Sequence, residues 1–200
     1  MFDLRVLTPP DVEPVTPAEL AVYLKLIAET SEFSTLGGGE RADCALFAQA
    51  AREHAEGYTR RALMTQTLQV TAYAPALRTN PYDYTRSGRI PLLRPPIQSV
   101  TSVTADGVAV AADEYALLAE GAIVHADGYA PWSYGSRVAV TYVAGYGADP
   151  EAVPAAIRVG IRKVAATMYE HREDVIVGTV QAAIAADSRR YFDPYRVPLV

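Results

Sequence analysis

Between residues 138 and 172 the spacing of apolar positions changes from that of a β-strand to that of an α-helix. Val138, Val140 and Tyr142 occupy every second position, which predicts a pleated strand with these side chains on one face. A Gly-Tyr-Gly run at 145–147 then ends the strand. Beyond it the apolar residues follow one face of a helix, at Ile157, Ile161, Val164 and Met168. The rest of the chain is expected to pack around this strand and helix.

Two helices are predicted before this segment. Thr16 and Glu19 have the spacing of a capping box, with Thr16 as the N-cap of a first helix that is expected to stop before the glycines at 37–39. An alanine-rich stretch from about residue 40 to about residue 60 predicts the second helix. Residues 1–15 contain three prolines and predict a flexible lead-in without regular pairing.

Between these helices and the last one, alternating polar and apolar positions predict an antiparallel β domain over residues 64–149. Its strands are predicted at 65–73, 90–93, 100–104, 108–110, 122–125 and 138–143, with a hairpin turn at Asp106 and Gly107. Residues 75–88 show no period and predict a long exposed loop that serves contact. The contact residues expected at this loop are Tyr82, Tyr84, Arg86 and Arg89.

These elements predict the α+β fold class, organised as a small helical bundle with an inserted antiparallel β domain. The bundle is expected to consist of residues 16–63 and 150–190, and the β domain of residues 64–149. A short helix is predicted at about residues 180–190, and residues 191–200 form an aromatic tail.

Composition narrows the class of function. The chain has 200 residues, of which 50% are hydrophobic and 20% charged, and its net charge of −5 argues against a protein that wraps nucleic acid. The single cysteine, Cys44, cannot form an internal disulfide, which is compatible with a reducing cytoplasm. No apolar run approaches the length needed to span a bilayer. We therefore expect a protein made in the cytosol without a membrane partner.

No constellation in the sequence predicts catalysis, a metal or a cofactor. His54, His125 and His171 lie in three different elements, and none has the partner spacing of a zinc site. Ser136 lacks the flanking glycines of a nucleophile elbow. The glycines at 145 and 147 are followed by Asp149 and Pro150, so they do not continue into a dinucleotide-binding fingerprint. The chain is not expected to be an enzyme.

Two surfaces are predicted to meet other proteins. The last long helix carries cations opposite its apolar face, which are either simply solvated or part of a subunit interface. The aromatic tail either folds back on its own domain or docks on another chain. The candidate subunit contacts are Arg158, Arg162, Lys163 and Tyr58, and the candidate partner contacts in the tail are Tyr191, Phe192, Tyr195, Arg196 and Leu199.

The order of several short motifs resembles one known family. A YTRRAL segment at 58–63 ends the second helix, and PPIQSVTSV follows at 95–103. The strand at 140–147 reads VTYVAGYG, and VPAAI at 153–157 opens a helix that closes with YEHR at 169–172. In this order the chain resembles the head-tail connector, or head-completion adaptor, proteins of tailed phages and gene transfer agents. Arg60 stands where the family usually has glycine.

The resemblance implies a virion structural protein in the neck of a phage-like particle. Such adaptors form oligomeric rings, usually twelve-fold, that bind the portal protein after DNA packaging and provide the attachment surface for a stopper or tail-terminator protein. DNA then passes through the lumen, the ejection channel, without sequence-specific binding. The resemblance also implies that the C-terminal tail, including Tyr195 and Arg196, reaches onto the portal.

Two other functions remain open. A tail-terminator or stopper would also be a ring protein without catalytic residues. A small carbohydrate-binding module or enzyme would use the aromatic cluster of Tyr129, Trp132 and Tyr134 as a stacking platform, although the same residues suit a packed loop.

Overall fold

The structure is a computed structural model, and it describes residues 2–73, 89–119, 121–126, 132, 136–170 and 188–198. The backbone contacts divide the chain into two compact units. Met1–Pro9 and Thr65–Gly145 form the β unit, and Pro10–Met64 and Tyr146–Val200 form the helical unit. Helices and antiparallel sheets together make an α+β fold, as predicted.

Within the described residues the helical unit contains three complete α-helices, and residues 188–192 are also helical. Helix α1 spans Pro17–Tyr23, α2 spans Gly38–Thr59 and α3 spans Ala155–Glu170. Short 3-10 helices occupy Thr30–Thr35, Pro150–Ala152 and Asp193–Tyr195. Most of the helix predicted at about residues 180–190, and His171 before it, lie outside the described residues.

The predicted capping box of α1 is confirmed. The amide of Glu19 donates to Thr16 Oγ1 at 3.2 Å, and Glu19 Oε2 accepts the amide of Thr16 at 2.9 Å. The helix ends earlier than expected, at Tyr23, because Lys25 adopts a left-handed backbone with φ of 59°. The three glycines at 37–39 begin α2, since Gly37 is its N-cap and the next two glycines are its first residues.

The core of the helical unit lies between α2 and α3. Alanines on one face of α2 allow α3 to approach closely, because their side chains are small. Ile157 and Ile161 of α3 are fully buried against that face, and each contributes about 1.5–3 kcal/mol by the transfer of its side chain from water. The alanines are Ala48, Ala51 and Ala55.

A buried ion network joins α2 to the segments that flank it. Arg52 donates to Glu56 at 3.0 Å within the helix and to Glu13 at 2.8 Å before α1. Glu56 is 1% exposed, and its second oxygen accepts the amide of Leu63 at 2.9 Å. Burial raises the pKa of the Glu13 carboxyl, against the opposing effect of Arg52. The fully paired network fixes where the chain enters and leaves α2.

Within the described residues the β unit contains eight strands in two antiparallel sheets. The first sheet has the order β1-β2-β8-β4-β5 and the second the order β3-β7-β6. The strands are β1 Phe2–Thr8, β2 Gln66–Tyr73, β3 Ile90–Pro91, β4 Ile97–Ala105, β5 Val108–Val110, β6 Tyr115–Leu117, β7 Ala122–His125 and β8 Arg137–Ala144. The predicted hairpin turn is confirmed, since Asp106 and Gly107 both have positive φ between β4 and β5.

The predicted alternation of β8 is confirmed by its burial. Val138, Val140 and Tyr142 are fully buried, while the residues between them are half-buried. The phenol of Tyr142 donates to the carbonyl of Leu93 at 2.6 Å, and burial raises the pKa of this phenol. The central strand is thus fixed by apolar packing and by one hydrogen bond from a buried polar group.

The prediction of an unpaired lead-in is wrong for Phe2–Thr8. These residues form β1, which pairs antiparallel with β2 at the edge of the sheet, with a register shift between Val6 and Thr8. The prolines that motivated the prediction, the first of which is Pro9, lie beyond the strand and do not interrupt its ladder.

Candidate partner-binding surface

The C-terminal segment is anchored by one aromatic side chain. Phe192 is fully buried in the core of the helical unit, beside the ring of Tyr58 at 6.1 Å. It fits there because α3 has Gly160 at the contact: a Cβ added to that glycine would lie 2.5 Å from Cε1 of Phe192. Of the two alternatives for the tail, Phe192 therefore folds back on its own domain, and it is not available as an exposed contact with a partner.

Hydrogen bonds then fix the following residues to the C-terminal end of α2. The amide of Val197 donates to the carbonyl of Thr59 at 2.9 Å, which satisfies a carbonyl that the helix leaves open. Arg61 Nε donates to the carbonyl of Tyr195 at 2.5 Å. Tyr58 donates its phenol proton to Asp193 at 2.5 Å, and this bond raises the pKa of the Tyr58 phenol.

Four arginines surround this junction, and we call Arg60, Arg61, Arg189 and Arg196 the arginine surface. The guanidinium carbons of Arg189 and Arg196 lie 6.0 and 5.4 Å from the centre of the Tyr58 ring. Arg60 Nη1 donates to the carbonyl of Val197 at 3.3 Å. Within the described part of the chain these contacts are made to carbonyls and a ring, and no carboxylate forms an ion pair with the four groups. Within the described residues, the positive charge of the arginine surface is therefore not balanced by an ion pair.

Arg60 adopts a backbone conformation that arginine rarely takes. It is the C-cap of α2 with φ of 57° and ψ of 37°, the left-handed region in which glycine is usual. A non-glycine residue there costs roughly 1–2 kcal/mol. The sequence carries the signal, because Arg60 stands where the family that the motif order resembles usually has glycine, but the role of this arginine depends on the tail that its guanidinium contacts.

The predicted cationic face of α3 is engaged within the chain. Arg158 and Arg162 both donate to Glu19 of α1, at 3.1 and 3.2 Å. The amine of Lys163 lies 5.4 Å from the centre of the Tyr191 ring. Sequence spacing could not reveal these partners, because they come from residues far away in the chain. A contact of this face with another subunit stays a prediction.

Several of the remaining predicted residues are not among those that the structure describes. Tyr82, Tyr84, Arg86 and Leu199 lie outside the described residues, and Arg89 lies exposed just before β3. Trp132 is 6% exposed, with its ring 5.9 Å from that of His125, so it does not offer a face for sugar stacking. Tyr129 and Tyr134 are likewise outside the described residues.

Within the described residues, no group of three or more histidine, cysteine, aspartate or glutamate side chains could hold a metal ion. His54 and His125 contact different aromatic rings. The ring of His54 lies 6.5 Å from that of Phe192, and the ring of His125 lies beside that of Trp132. In the same ranges, every helix is too short or too polar to cross a bilayer.

Sequence reasoning missed Gly160 and the arginines that hold the tail. A lone glycine inside an otherwise amphipathic helix costs about 1 kcal/mol relative to alanine, so it indicates a packing requirement. Gly160 has that signal, and the structure supplies the reason in Phe192. Asp193, the acceptor for Tyr58, gave no comparable signal.

Comparison with known proteins identifies the fold. No protein-family profile matches the chain, and no curated protein is similar to it in sequence. Three of the solved chains with a similar structure come from gene transfer agent particles. One, from the virion of a native gene transfer agent particle, has a TM-score of 0.72 and 22% identity, over 98% of this chain and 96% of that chain. This chain has the fold of a gene transfer agent protein.

The other two similar chains come from particle necks. A chain from the neck of an empty gene transfer agent particle, computed with C6 symmetry, has a TM-score of 0.71 and 23% identity. A chain from the neck of a native particle, computed with C12 symmetry, has a TM-score of 0.63 and 22% identity. Each match covers 99% of this chain and 97% of the other. The similarity therefore extends through both units.

Proposed function

We propose that this chain is a structural protein of the neck of a gene transfer agent or similar phage-like particle, and that it acts there as a head-tail connector. In this role it binds the portal as a ring after DNA packaging and provides the surface on which the stopper or tail assembles. The observation that carries the proposal is the similarity of fold to neck chains over 99% of this chain. The motif order in the sequence supports the same family.

Self-assembly into a ring is the part of the proposal with the most direct support. The similar chains belong to necks computed with C6 and C12 symmetry. A closed ring requires two different complementary surfaces on each subunit, because each copy contacts one neighbour with each surface. We expect twelve copies around a lumen through which DNA passes.

The charge of the chain suits passage of DNA. The net charge is −5, so the average surface repels phosphate and favours movement through the lumen over attachment. The arginine surface is an exception to this average, because its cations are clustered. We expect it to contact another protein and not the DNA in the lumen.

Portal binding by the C-terminal segment is proposed with a smaller set of residues than the sequence suggests. Phe192 is excluded by its burial, which leaves Tyr191, Tyr195, Arg196 and Leu199. Deletion of residues 191–200 would also remove the Phe192 anchor. Point substitutions such as Tyr195→Ala are therefore the better test of portal binding.

The main alternative is a tail-terminator or stopper ring at another level of the same neck. It would have the same absence of chemistry and the same ring symmetry, and only its position distinguishes it. A carbohydrate-binding module is less well supported, because Trp132 is buried.

The test is to delete the gene in producing cells and to image the particles by electron cryomicroscopy. We expect filled heads to lack tails and to lose DNA, and a tagged copy supplied in trans to restore tails. In restored particles the tag should lie directly beneath the portal. Normal numbers of tailed particles without the chain would contradict the proposal, and a tag next to the tail tube would support the tail-terminator alternative.

A further inference from the structure

The helical unit is electrically polar along α2. At the C-terminal end of this helix lies the arginine surface, and the acidic side chain described there, Asp193, is already bound by Tyr58. Asp193, Arg60 and Arg196 line an open concavity of about 470 Å³ there. This end of the unit therefore presents positive charge beside a recess.

The opposite end of α2 is acidic. Residues 10–59 contain nine acidic and three basic residues. Glu29, Glu32 and Glu40 are exposed beside the start of α2, and we call these three the acidic surface. An open cavity of about 730 Å³ lies beside it and is lined by Glu32 and Lys25 and by the apolar side chains of Val22, Leu26, Ile27 and Leu36.

The two surfaces are too far apart to neutralise each other within one chain. Helix α2 has 22 residues, which corresponds to about 33 Å at the rise of an α-helix. At that distance exposed charges are screened in physiological salt. Among the described residues, neither surface can therefore neutralise the other.

From this arrangement we infer that the arginine surface of one copy binds the acidic surface of the next copy in a head-to-tail contact. The contact joins unlike surfaces, so it is heterologous and repeats from copy to copy. Arg189 and Arg196 approach the glutamates, while apolar atoms of the tail, such as those of Val197, face the cavity beside Glu32. Closure of the repeat into a ring rests on the proposed function, whereas the contact between two copies does not. The inference also moves Arg196 from the portal to the neighbouring subunit.

Charge complementarity favours a second copy over the other possible partners. DNA would meet the arginines only together with the acidic remainder of an acidic chain. The helix dipole explains part of the pattern, because acids at the start of α2 and cations at its end are each favourable by about 0.3–1 kcal/mol. It does not account for Arg189 and Arg196, which the tail adds outside the helix and whose contacts among the described residues include the ring of Tyr58.

The test reverses each surface separately and then mixes the variants. One variant, R189E/R196E, makes the arginine surface acidic, and the other, E29K/E40K, makes the acidic surface basic. Arg189 and Arg196 are chosen because their contacts are to the Tyr58 ring, so reversal leaves the hydrogen bonds of the tail intact. Self-association of the purified full chain is measured by sedimentation over a range of protein and salt concentrations.

We expect the wild-type chain to self-associate at low salt and to dissociate as salt increases. Each variant alone should associate at least about tenfold more weakly, because its two surfaces then carry the same sign. An equal mixture of the variants should recover the wild-type association, since every contact between unlike variants is again complementary. Mixed assemblies should alternate the two variants, which labelled copies would reveal by mass spectrometry.

The matched control is D113K/E170K, which changes the net charge as E29K/E40K does, at exposed sites outside both surfaces. It should associate like the wild type. Circular dichroism identifies loss of folding, and the milder R189Q/R196Q and E29Q/E40Q replace any variant that fails to fold.

Three results would overturn the inference. The first is a wild-type chain that stays monomeric at low salt. This result would overturn the inference but not the proposed function in the neck, because that function is tested on particles. Normal association of E29K/E40K would exclude the acidic surface, and weakened portal or DNA binding by R189E/R196E alone would then name the other partner. Failure of the mixture to recover would exclude a charge-paired contact between copies.

Discussion

The two ends of the chain are held in opposite ways. The N-terminal residues Phe2–Thr8 are fixed by backbone pairing with β2, and Phe2 and Val6 stay 37% and 45% exposed. The C-terminal segment has little regular pairing, and it is fixed by the fully buried Phe192 and by hydrogen bonds to the end of α2. Both ends contain apolar residues, so their composition alone does not distinguish them. The difference shows that the anchoring of a chain end depends on what the folded unit offers it. The N-terminal residues pair with a free strand edge, and Phe192 fills the space, or notch, that Gly160 leaves in α3.

Removal of the buried anchor is expected to have the largest effect. Phe192→Ala should destabilise the helical unit by about 3–5 kcal/mol, because it leaves a cavity between α2 and α3. Urea unfolding followed by circular dichroism measures the loss. Leu46→Ala is the control in the same unit, since Leu46 is 60% exposed and its loss should change stability by less than about 0.5 kcal/mol. A similar small effect of both changes would show that the anchor is not important for stability.

Closing the notch should reproduce part of that loss. Gly160→Ala places a methyl group 2.5 Å from Cε1 of Phe192 and should cost about 1–3 kcal/mol by overpacking. Gly57→Ala in α2 is the matched control, because its Cβ would meet nothing within 4 Å and alanine should stabilise the helix by up to about 1 kcal/mol. In the double variant with Phe192→Ala, the two losses should not add, since both remove one contact. Additive losses would place the cost of Gly160→Ala elsewhere.

The exposed end should be less sensitive to the same kind of change. Phe2→Ala combined with Val6→Ala should cost about 1–2 kcal/mol in total, because both side chains are only partly removed from water. Unfolding of the β unit, followed by tyrosine fluorescence, measures this loss. A loss as large as that from Phe192→Ala would mean that β1 is anchored by its side chains and not by its ladder.

Arg60→Gly tests whether the end of α2 is strained for the benefit of the tail. Glycine relieves the left-handed backbone but removes the hydrogen bond to Val197, so stability should stay constant or rise by up to about 1 kcal/mol. Thermal unfolding provides the measurement. A clear decrease in stability would show that the hydrogen bond to the tail outweighs the strain.

The smallest expected effect depends on pH. The hydrogen bond to Asp193 raises the pKa of Tyr58 above that of an unfolded tyrosine, so the folded chain retains this proton longer. The stabilisation is therefore complete below the unfolded pKa and is lost as pH rises through the folded pKa. Titration of tyrosinate absorbance in the wild type and in Asp193→Asn should show one phenol whose pKa falls in the variant. Tyr58→Phe should remove that transition altogether, and its persistence would assign the transition to another tyrosine.

Local patterns were sufficient for much of the fold. The capping box of Thr16 and Glu19, the hairpin turn at Asp106 and the alternation of β8 were all predicted from the sequence. Each depends on backbone geometry within a few residues, which is why the spacing of residue types reveals it. The same reasoning failed for β1, because its partner β2 lies far away in the sequence: residues 2–8 pair with residues 67–72.

The candidate surface was only partly accessible from the sequence. The aromatic tail and the cations of α3 were recognised as important, but their partners were not. Glu19 lies 139 residues from Arg158 in the sequence, and Asp193 lies 135 residues from Tyr58. No local period encodes such distant pairs.

The sequence by itself determined most of the helices and strands, although not β1 or β6, and it determined that the chain carries an excess of acid with a cationic, aromatic end. The tertiary structure alone decided that Arg158 and Arg162 share Glu19 as their ion-pair partner, whereas no ion pair joins the arginine surface to another described residue. It also decided that Phe192 is buried. The physical reason is that periodicity is a property of neighbouring residues, whereas neutralisation and burial depend on which distant residues the folded chain brings within a few ångströms of each other.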